Sequence, residues 1–370
     1  MKKILIINPF GVGDVLFSTP LVRALKRAYP DSSIDYVCNK RAYGIIKDNP
    51  QISGIHIFEK DDYRKLWKES KLRCLKALYG LLKTLDRAGY DVAIDMSLGY
   101  QCSLLLAAFT HIRRRIGFNY RDRGKFLTDK IMLEGFNGKH VIEYYLDLGR
   151  PLGIDVSDKC IEVCVADEDR RWAERFLAEH GINKDDCVCG IIPGCGASWG
   201  RNAKYRRWLP SKFAEVADYA AERYDCKIAI FGDEREKLIC DEVDAKMKAR
   251  PVTACGKTSL GQFAALLDRC DLIVTNDGGP LHIAVGLKKR TISIFGPVDE
   301  RIYGPYPQKA DFVTVTSDEA CRPCYRNFKH NACDTFKCLD RIKPADVTRH
   351  IDRFMEDIKN ESHARIPGDI

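Results

Sequence analysis

No apolar run in this chain is long enough to cross a membrane as a helix. The longest one after the amino terminus covers residues 104–109, whereas a spanning helix needs about 20 residues. The opening stretch is also apolar, but the Gly-Val-Gly-Asp sequence at 11–14 interrupts it, so a buried strand explains it better than a secretory signal. Low-complexity tracts and short internal repeats are missing too. We therefore expect a soluble globular protein of the cytoplasm.

The sixteen cysteines do not follow the pattern of a disulfide scaffold. Most occur singly inside segments with strand or helix character, where a free thiol packs as a small apolar side chain; examples are Cys38, Cys189, Cys226, Cys255 and Cys270. Without a signal peptide, a reducing compartment is expected. The formal net charge of +8 indicates an anionic partner, and nucleic acid, acidic lipid headgroups and a phosphorylated glycan all satisfy it.

The 370 residues suit two domains better than one. Strands alternate with helices in both halves, with predicted strands at 3–8, 33–38, 54–58, 91–96 and 112–117, then at 187–192, 227–231, 272–275 and 291–295. One long helix is predicted over 66–87. This alternation predicts an α/β fold with two Rossmann-like, doubly wound domains, at 1–165 and 166–344, facing each other across a ligand cleft.

The Gly-Val-Gly-Asp turn at 11–14 follows the first strand and leads into a helix. It is not a dinucleotide fingerprint, because Leu16 occupies the third glycine position, and it has no P-loop lysine. Asp14 lies where the carboxyl end of a strand meets the cleft, which suits a general base. A simple helix cap explains the same residue.

Residues 276–282 (Asn-Asp-Gly-Gly-Pro-Leu-His) are a stronger signal. They follow a strand, and Pro280 suits the first position of a helix. The amides of Gly278 and Gly279 at this helix start would hold a diphosphate, with Asp277 and His282 at its rim. An ordinary connection between strand and helix explains the pattern about as well.

Three further residues complete this predicted donor site. Glu234 follows the strand at 227–231, where such folds bind ribose hydroxyls, although an acid in the first turn of a helix is equally ordinary. Lys204 and Arg206 belong to a basic loop after the first strand of the second half and would place positive charge near the diphosphate. A solvated basic loop is the alternative.

Other clusters are open to more than one interpretation. Arg115, Arg121 and Arg123 lie in a basic region at 113–125, which suits a phosphate-bearing acceptor or a solvated face and lacks the interleaved aromatics of a nucleic-acid site. The Asp-Glu-Asp sequence at 167–169 resembles a metal-binding DxD, but precedes a helix as acidic first-turn residues. Four cysteines could bind zinc, although their spacing is irregular and free thiols are favoured; these are Cys321, Cys324, Cys333 and Cys338.

Several spaced motifs in a consistent order resemble glycosyltransferase family 9, the ADP-heptose:lipopolysaccharide heptosyltransferases. They are the amino-terminal stretches at 3–6, 13–15 and 19–21, Arg-Ile-Gly-Phe at 115–118, Glu-Tyr-Tyr-Leu at 143–146, Trp-Leu-Pro at 208–210, residues 276–284, and Phe-Gly-Pro-Val-Asp at 295–299 with Gly-Pro at 304–305. The resemblance covers most of the chain. An ordered set of motifs is more specific than any one of them.

This resemblance implies a GT-B fold whose first domain binds the acceptor and whose second binds the donor, with no metal and no cofactor. It also implies a carboxyl-terminal helix, over about 345–360, that often packs back on the first domain. Asp14 matches the proposed catalytic base, and Asp277 matches the aspartate that contacts the donor sugar. Glu234 approximately matches the ribose-binding acid.

The resemblance also implies the diphosphate contacts. The amides of Gly278 and Gly279 match the cradle for the diphosphate, and Gly278 stands where threonine is frequent. The phosphate-contacting lysine of the family lies two residues before the tryptophan, a place that Arg206 takes here. Lys204 is the nearest lysine.

The resulting prediction is an inverting transferase that moves heptose from ADP-heptose to the anionic inner core of lipopolysaccharide at the cytoplasmic face of the inner membrane. Two alternatives remain within the same fold: a nucleotide-sugar epimerase and a transferase with another nucleotide sugar. A basic, zinc-containing nucleic-acid binder is a third, from a different class, and it accounts for neither glycine motif.

Overall fold

The computed structural model describes residues 2–326, 328–330 and 333–364. The chain divides into two compact units, Met1–Cys164 and Val165–Ile370. None of the helices in the described ranges combines the length and the apolar character needed to cross a bilayer.

The first unit is built on a six-stranded, all-parallel sheet with the order β3-β2-β1-β4-β5-β6. Its strands are β1 (Lys3–Asn8), β2 (Ser33–Cys38), β3 (Gly54–Ile57), β4 (Val92–Asp95), β5 (Arg114–Tyr120) and β6 (Asp129–Leu133). The order reverses between β1 and β4, and this switch point is where ligands bind in open α/β sheets.

Seven helices flank this sheet: α1 (Val12–Phe17), α2 (Thr19–Ala28), α3 (Lys40–Ile46), α4 (Lys60–Glu69), α5 (Lys71–Ala88), α6 (Gln101–Phe109) and α7 (Val141–Asp147). The single helix predicted over 66–87 is wrong, because one helix ends and a second begins at Ser70. Ser70 has an extended backbone, and its hydroxyl accepts a hydrogen bond from the amide of Arg73. A serine that caps a new helix in this way ends the preceding one.

The second unit repeats the same plan, with the parallel order β12-β11-β10-β7-β8-β9. Its strands are β7 (Val188–Ile192), β8 (Lys227–Ile230), β9 (Val252–Thr253), β10 (Leu272–Asn276), β11 (Arg290–Ile294) and β12 (Phe312–Val315). A small antiparallel ribbon, β13 (Tyr325–Arg326) and β14 (Lys329–His330), lies outside the sheet. Here the switch point falls between β7 and β10.

The helices of the second unit follow the predicted alternation. They are α8 (Asp167–Glu179), α9 (Pro210–Tyr224), α10 (Lys237–Asp244), α11 (Leu260–Arg269), α12 (Gly279–Gly286), α13 (Glu300–Tyr303), α14 (Lys337–Asp340) and α15 (Pro344–Ala364). The acids at 167–169 form the first turn of α8. The apolar face of α15 packs into the core of the second unit through Val347, Ile351, Phe354 and Met355.

The central strands form the cores. Every residue of β7 and β10 is buried, as are Ile4 to Asn8 of β1. Parallel strands covered by helices on both faces need such continuous apolar runs, and each fully buried Ile or Leu side chain contributes roughly 1.5–3 kcal/mol. The predicted α/β class with two Rossmann-like sheets is confirmed, and the sheets place the carboxyl ends of their strands along one edge in each unit.

Candidate active site

Asp14 lies at the switch point of the first sheet. It is in the first turn of α1, which starts directly after the turn that follows β1. Gly11 is the N-cap and carries no side chain, so Asp14 is not the cap residue. The buried Asn8 at the end of β1 donates from its side-chain amide to the carbonyl oxygen of Asp14 (3.0 Å). This bond fixes the turn relative to the sheet.

Tyr145 in α7 is a residue of this site that sequence reasoning did not single out. Its side chain is fully buried, and its hydroxyl donates to Oδ1 of Asp14 across 3.3 Å. The buried phenol therefore orients the half-buried carboxylate. Tyr145 belongs to the Glu-Tyr-Tyr-Leu motif, but a contact across 131 positions leaves no local pattern in the sequence.

A second carboxylate that sequence reasoning missed, Asp95, ends β4 at the same switch point. It pairs with Ile7 of β1 in the parallel register and is 2% exposed. Burial raises the pKa of Asp95 to about 6, and the hydrogen bond that it accepts from the amide of Ser97 (2.9 Å) opposes this rise. Because β1 and β4 are neighbours, both acidic residues occupy one edge of the sheet.

The three predicted acceptor arginines do not lie together. Arg121 and Arg123 follow the carboxyl end of β5, the edge that also carries Asp14. Both are exposed, and their guanidinium groups lie 4.9 and 6.0 Å from the ring centre of Tyr120. Arg115 is at the amino end of β5, the opposite edge of the sheet. Its guanidinium donates to the carbonyl oxygens of Phe126 (2.8 Å) and Ile112 (2.5 Å), which makes it a brace for neighbouring loops.

In the second unit, Asn276 holds the switch point together. Its side chain is fully buried. The side-chain oxygen accepts from the amide of Trp208 (3.0 Å), and the side-chain nitrogen donates to the carbonyl of Pro193 (2.8 Å). The loops after β7 and β10 and the segment before α9 are thereby fixed to one another.

The glycine motif forms the start of α12. Gly278 is the N-cap, and it has no side chain with which to cap the first turn. A Cβ atom on Gly278 would collide with the carbonyl oxygen of Cys195, so the close approach of the β7 loop requires glycine here, and a threonine would not fit. Uncapped first-turn amides and the helix dipole together make a binding place for anionic groups.

Arg206 and Asp277 form a buried ion pair beside this helix start. Nη2 of Arg206 lies 2.6 Å from Oδ1 of Asp277, and both side chains are buried. Burial raises the pKa of Asp277 above its usual value, and the Arg206 guanidinium opposes that rise. The sequence placed Asp277 and His282 at the rim of the site, but both are buried.

The other two predicted donor residues are solvent-accessible. Lys204 is exposed, with its ammonium 5.1 Å from the centre of the Tyr205 ring. Glu234 follows β8 as an exposed residue, and its carboxylate lies against Gly256. Both therefore occupy positions at the carboxyl edge that a ligand can reach.

Glu236 is the residue that shapes this edge, and sequence reasoning missed it. Its buried carboxylate accepts hydrogen bonds from the amides of Cys195 and Gly196, each 2.9 Å long, and from the amide of Asp233 at 3.3 Å. One side chain thus ties the loop after β7 to the loop after β8. The local signal was a capping box with Asp233, which does not reveal the contact with the β7 loop.

The cysteine-rich segment packs beside the same loops. Tyr205 stacks on His330 and Phe336, with ring centres 4.3 and 5.3 Å away. Cys321 is exposed, Cys324 and Cys333 are partly exposed and Cys338 is buried. In the part of the chain that the structure describes, which omits 327 and 331–332, no three His, Cys, Asp or Glu side chains are arranged to hold a metal ion.

Both units carry polar side chains at the switch point of a parallel α/β sheet, which is where ligands bind in folds of this class. The chain belongs to glycosyltransferase family 9 (heptosyltransferase), whose family model matches residues 78–333. This confirms the resemblance drawn from the motifs and makes the protein a glycosyltransferase.

Named relatives agree with this assignment. The chain is 26% identical to lipopolysaccharide heptosyltransferase 3 of Escherichia coli K12, over 80% of this chain and 83% of the relative. A glycosyl transferase family 9 crystal structure from Veillonella parvula matches with a TM-score of 0.80 and 24% identity, over 96% and 98% of the two chains. The E. coli ADP-heptose LPS heptosyltransferase II structure matches with a TM-score of 0.75 and 20% identity, over 97% and 100%. These structures support the GT-B fold.

Proposed function

We propose that this chain transfers heptose from ADP-heptose to the inner core of lipopolysaccharide. The second unit binds the donor, and the first unit binds the acceptor. The relatives whose names include this chemistry support the choice of donor and acceptor. The observation that carries the proposal is the uncapped start of α12 beside the buried pair of Arg206 and Asp277.

The donor assignment follows from the chemistry of the second switch point. A nucleoside diphosphate sugar has two phosphates, a ribose and a sugar that must be oriented. The amides of Gly278 and Gly279 would hold the diphosphate, with positive charge from Arg206 and Lys204. Asp277, fixed by Arg206, would accept hydrogen bonds from the sugar hydroxyls, with His282 nearby on α12. The exposed carboxylate of Glu234 would bind the ribose hydroxyls.

The reaction is a single inverting displacement. Asp14 removes the proton from an acceptor hydroxyl, and the hydroxyl oxygen forms a bond to the anomeric carbon of the heptose. The bond from that carbon to the diphosphate breaks on the opposite face, and ADP leaves with both bonding electrons. The helix amides and cationic side chains carry the developing charge on the leaving group, so the mechanism requires no divalent metal.

The acceptor assignment rests on the edge that carries Asp14. Arg121 and Arg123 are exposed there and suit phosphate groups on the inner core. Arg115 is left out of this role because its guanidinium is engaged by backbone carbonyls at the opposite edge. Because the acceptor is a glycolipid, we propose that the enzyme works in peripheral contact with the cytoplasmic face of the inner membrane.

A donor screen tests the proposal. The protein is incubated with ADP-heptose or other nucleotide sugars, each with and without a truncated core glycolipid, and products are identified by mass spectrometry and by the anomeric configuration in NMR. Acceptor-dependent release of ADP, with inversion and with full activity in EDTA, is expected. Consumption of donor without acceptor would identify an epimerase, and preference for another nucleotide sugar would replace the donor.

A further inference from the structure

Four large apolar side chains are exposed on α4 and α5 of the first unit. They are Trp67 at 46%, Leu72 at 78%, Leu75 at 53% and Tyr79 at 55% exposure. We call them the α4–α5 patch. Scattered surface apolar residues are ordinary, but grouped ones mark a place of interaction.

Helical geometry shows that these residues form one surface. Leu72, Leu75 and Tyr79 are spaced by three and four positions, which puts them on one side of α5. The neighbouring side of α5 buries Cys74, Leu82 and Leu85, so the apolar surface of this helix extends beyond its core-facing side onto a side that faces solvent. An ordinary surface helix is apolar only on its core-facing side.

Trp67 joins the same surface through a lysine. The ammonium of Lys71, at the start of α5, lies 5.8 Å from the centre of the Trp67 ring on α4. The ammonium of Lys83 lies 5.9 Å from the Tyr79 ring in the same manner. The apolar side chains of the patch are therefore interleaved with cations.

The charge around the patch is mainly positive. The stretch from α4 to the end of α5 (residues 60–88) contains nine Lys and Arg residues and four acids, of which Asp61 pairs with Arg64. Lys76 and Lys83 are exposed and lie on the side of α5 that carries Leu72 and Tyr79. An interfacial helix has this composition, because its Trp, Tyr and Leu side chains enter the headgroup region while lysines meet lipid phosphates.

We propose that the α4–α5 patch docks on the surface of an anionic lipid bilayer. The aromatic and leucine side chains insert at the level of the headgroups, and the surrounding lysines bind the lipid phosphates. The inference rests on the proposed function in that it names the surface by which an enzyme acting on a glycolipid contacts the membrane.

Vesicle binding without substrates tests this inference. Co-sedimentation is measured with vesicles of phosphatidylglycerol and phosphatidylethanolamine, and with vesicles of phosphatidylcholine alone, in the absence of glycan acceptor and nucleotide sugar. Binding to the anionic vesicles that weakens with salt is expected. The double substitution Leu72→Ser with Tyr79→Ser should weaken this binding by about tenfold or more, since two side chains that insert into the bilayer are lost.

Matched controls come from the second unit. Leu238 on α10 is 79% exposed, so Leu238→Ser removes a leucine as accessible as Leu72 without touching the patch, and it should not change vesicle binding. Lys76→Gln with Lys83→Gln should weaken binding to anionic vesicles, whereas Lys184→Gln with Lys246→Gln should have a smaller effect. All these side chains are exposed, so thermal unfolding should be unaltered.

Three results would overturn the inference. The first is that the parent protein does not bind anionic vesicles, and the second is that the patch and control variants lose vesicle binding equally. The third is that the patch variants change their oligomeric state in sedimentation velocity while they still bind vesicles as the parent does. The last result would make the patch a contact between two copies of the chain. A separate assay of heptose transfer to a water-soluble, delipidated acceptor distinguishes failure of this inference from failure of the proposed function. If the parent protein does not catalyse that transfer, the transferase proposal is refuted, and the vesicle-binding result still decides the docking proposal.

Discussion

Asp14, in the first turn of α1, is held by groups from two other elements of the first unit. The first turn of α1 is a position where a carboxylate stabilises a helix. Asn8 of β1 bonds to the backbone of Asp14, and Tyr145 of α7 donates to its carboxylate. A general base needs such fixed geometry, because the proton is transferred over hydrogen-bond distance.

Asp14→Asn should abolish most of the turnover while leaving donor binding intact. The amide keeps the size of the carboxylate but cannot accept the proton, and a positioned base contributes about 10²–10⁴-fold. We expect kcat to fall at least about 100-fold, with the Kd for ADP unchanged by calorimetry. Asp31→Asn, at an exposed position of the same unit, is the control. Normal turnover in the Asp14 variant would remove this residue from the role.

The buried Asp95 should make stability depend on pH in a defined window. Its pKa is about 6 in the folded protein against 3.8 for the ordinary group, so the folded state holds the proton more tightly. Well below pH 4 both states are protonated, and stability falls as the pH rises from about 4 through about 6 and levels off above that. The full effect is roughly 3 kcal/mol.

Asp95→Asn cannot lose a proton, so it isolates this contribution. Between pH 4 and pH 7, the free energy of unfolding of the variant should rise relative to that of the parent by up to roughly 3 kcal/mol. Urea titrations at several pH values measure it. A difference between Asp95→Asn and the parent that stays constant over this pH range would contradict the assignment.

At the scale of elements, most strands were predictable because each is an apolar run bounded by turn residues. The predicted strands at 3–8 and 33–38 coincide with β1 and β2. The break between α4 and α5 was not predictable from periodicity, since the apolar and charged pattern continues on both sides of Ser70 and a single serine does not forbid a helix. The hydrogen bond from the amide of Arg73 to the hydroxyl of Ser70 marks Ser70 as the cap of a second helix.

The candidate site shows the same limit more strongly. Glycines after a strand predicted the start of α12, because that signal is local. The local sequence does not distinguish the surroundings of Lys204 and Arg206. Only the fold reveals that Arg206 is buried against Asp277 while Lys204 is exposed. Glu236 likewise acts on amides 40 and 41 positions away, and such contacts leave no spacing pattern.

The fit between α12 and the β7 loop depends on one missing side chain. Gly278→Ala places a methyl group against the carbonyl oxygen of Cys195, a backbone atom that cannot move without displacing the loop. We expect the free energy of unfolding to fall by about 1–3 kcal/mol, with weaker ADP binding in calorimetry.

Gly80→Ala is the matched control for this change. Gly80 is exposed on α5, and a Cβ there meets nothing within 4 Å. Alanine should therefore stabilise the helix by up to about 1 kcal/mol. Equal effects of the two substitutions in urea unfolding would show that Gly278 is not required by the approach of the β7 loop.

At the scale of the whole molecule, two sheets with the same strand order carry different chemistry at their switch points. The first presents acids, Asp14 and Asp95, and the second presents an uncapped helix start with cations. A base suits the acceptor hydroxyl, and an anion-binding place suits a nucleoside diphosphate. The two tasks should therefore be separable by substitutions that affect one unit at a time.

ADP alone tests this division. A ligand that binds only the folded state adds about 2.7 kcal/mol of stability at 100 times its Kd, so ADP should raise the Tm of the parent protein. Lys204→Gln removes an exposed cation of the proposed donor site; a tenfold loss of affinity would reduce the added stability to about 1.4 kcal/mol at the same ADP concentration. Asp14→Asn should keep the full ADP-dependent rise, since its role is in the other unit. If the Asp14 variant lost the rise and the Lys204 variant kept it, the donor would be bound by the first unit, and the assignment of the two sites would have to be exchanged.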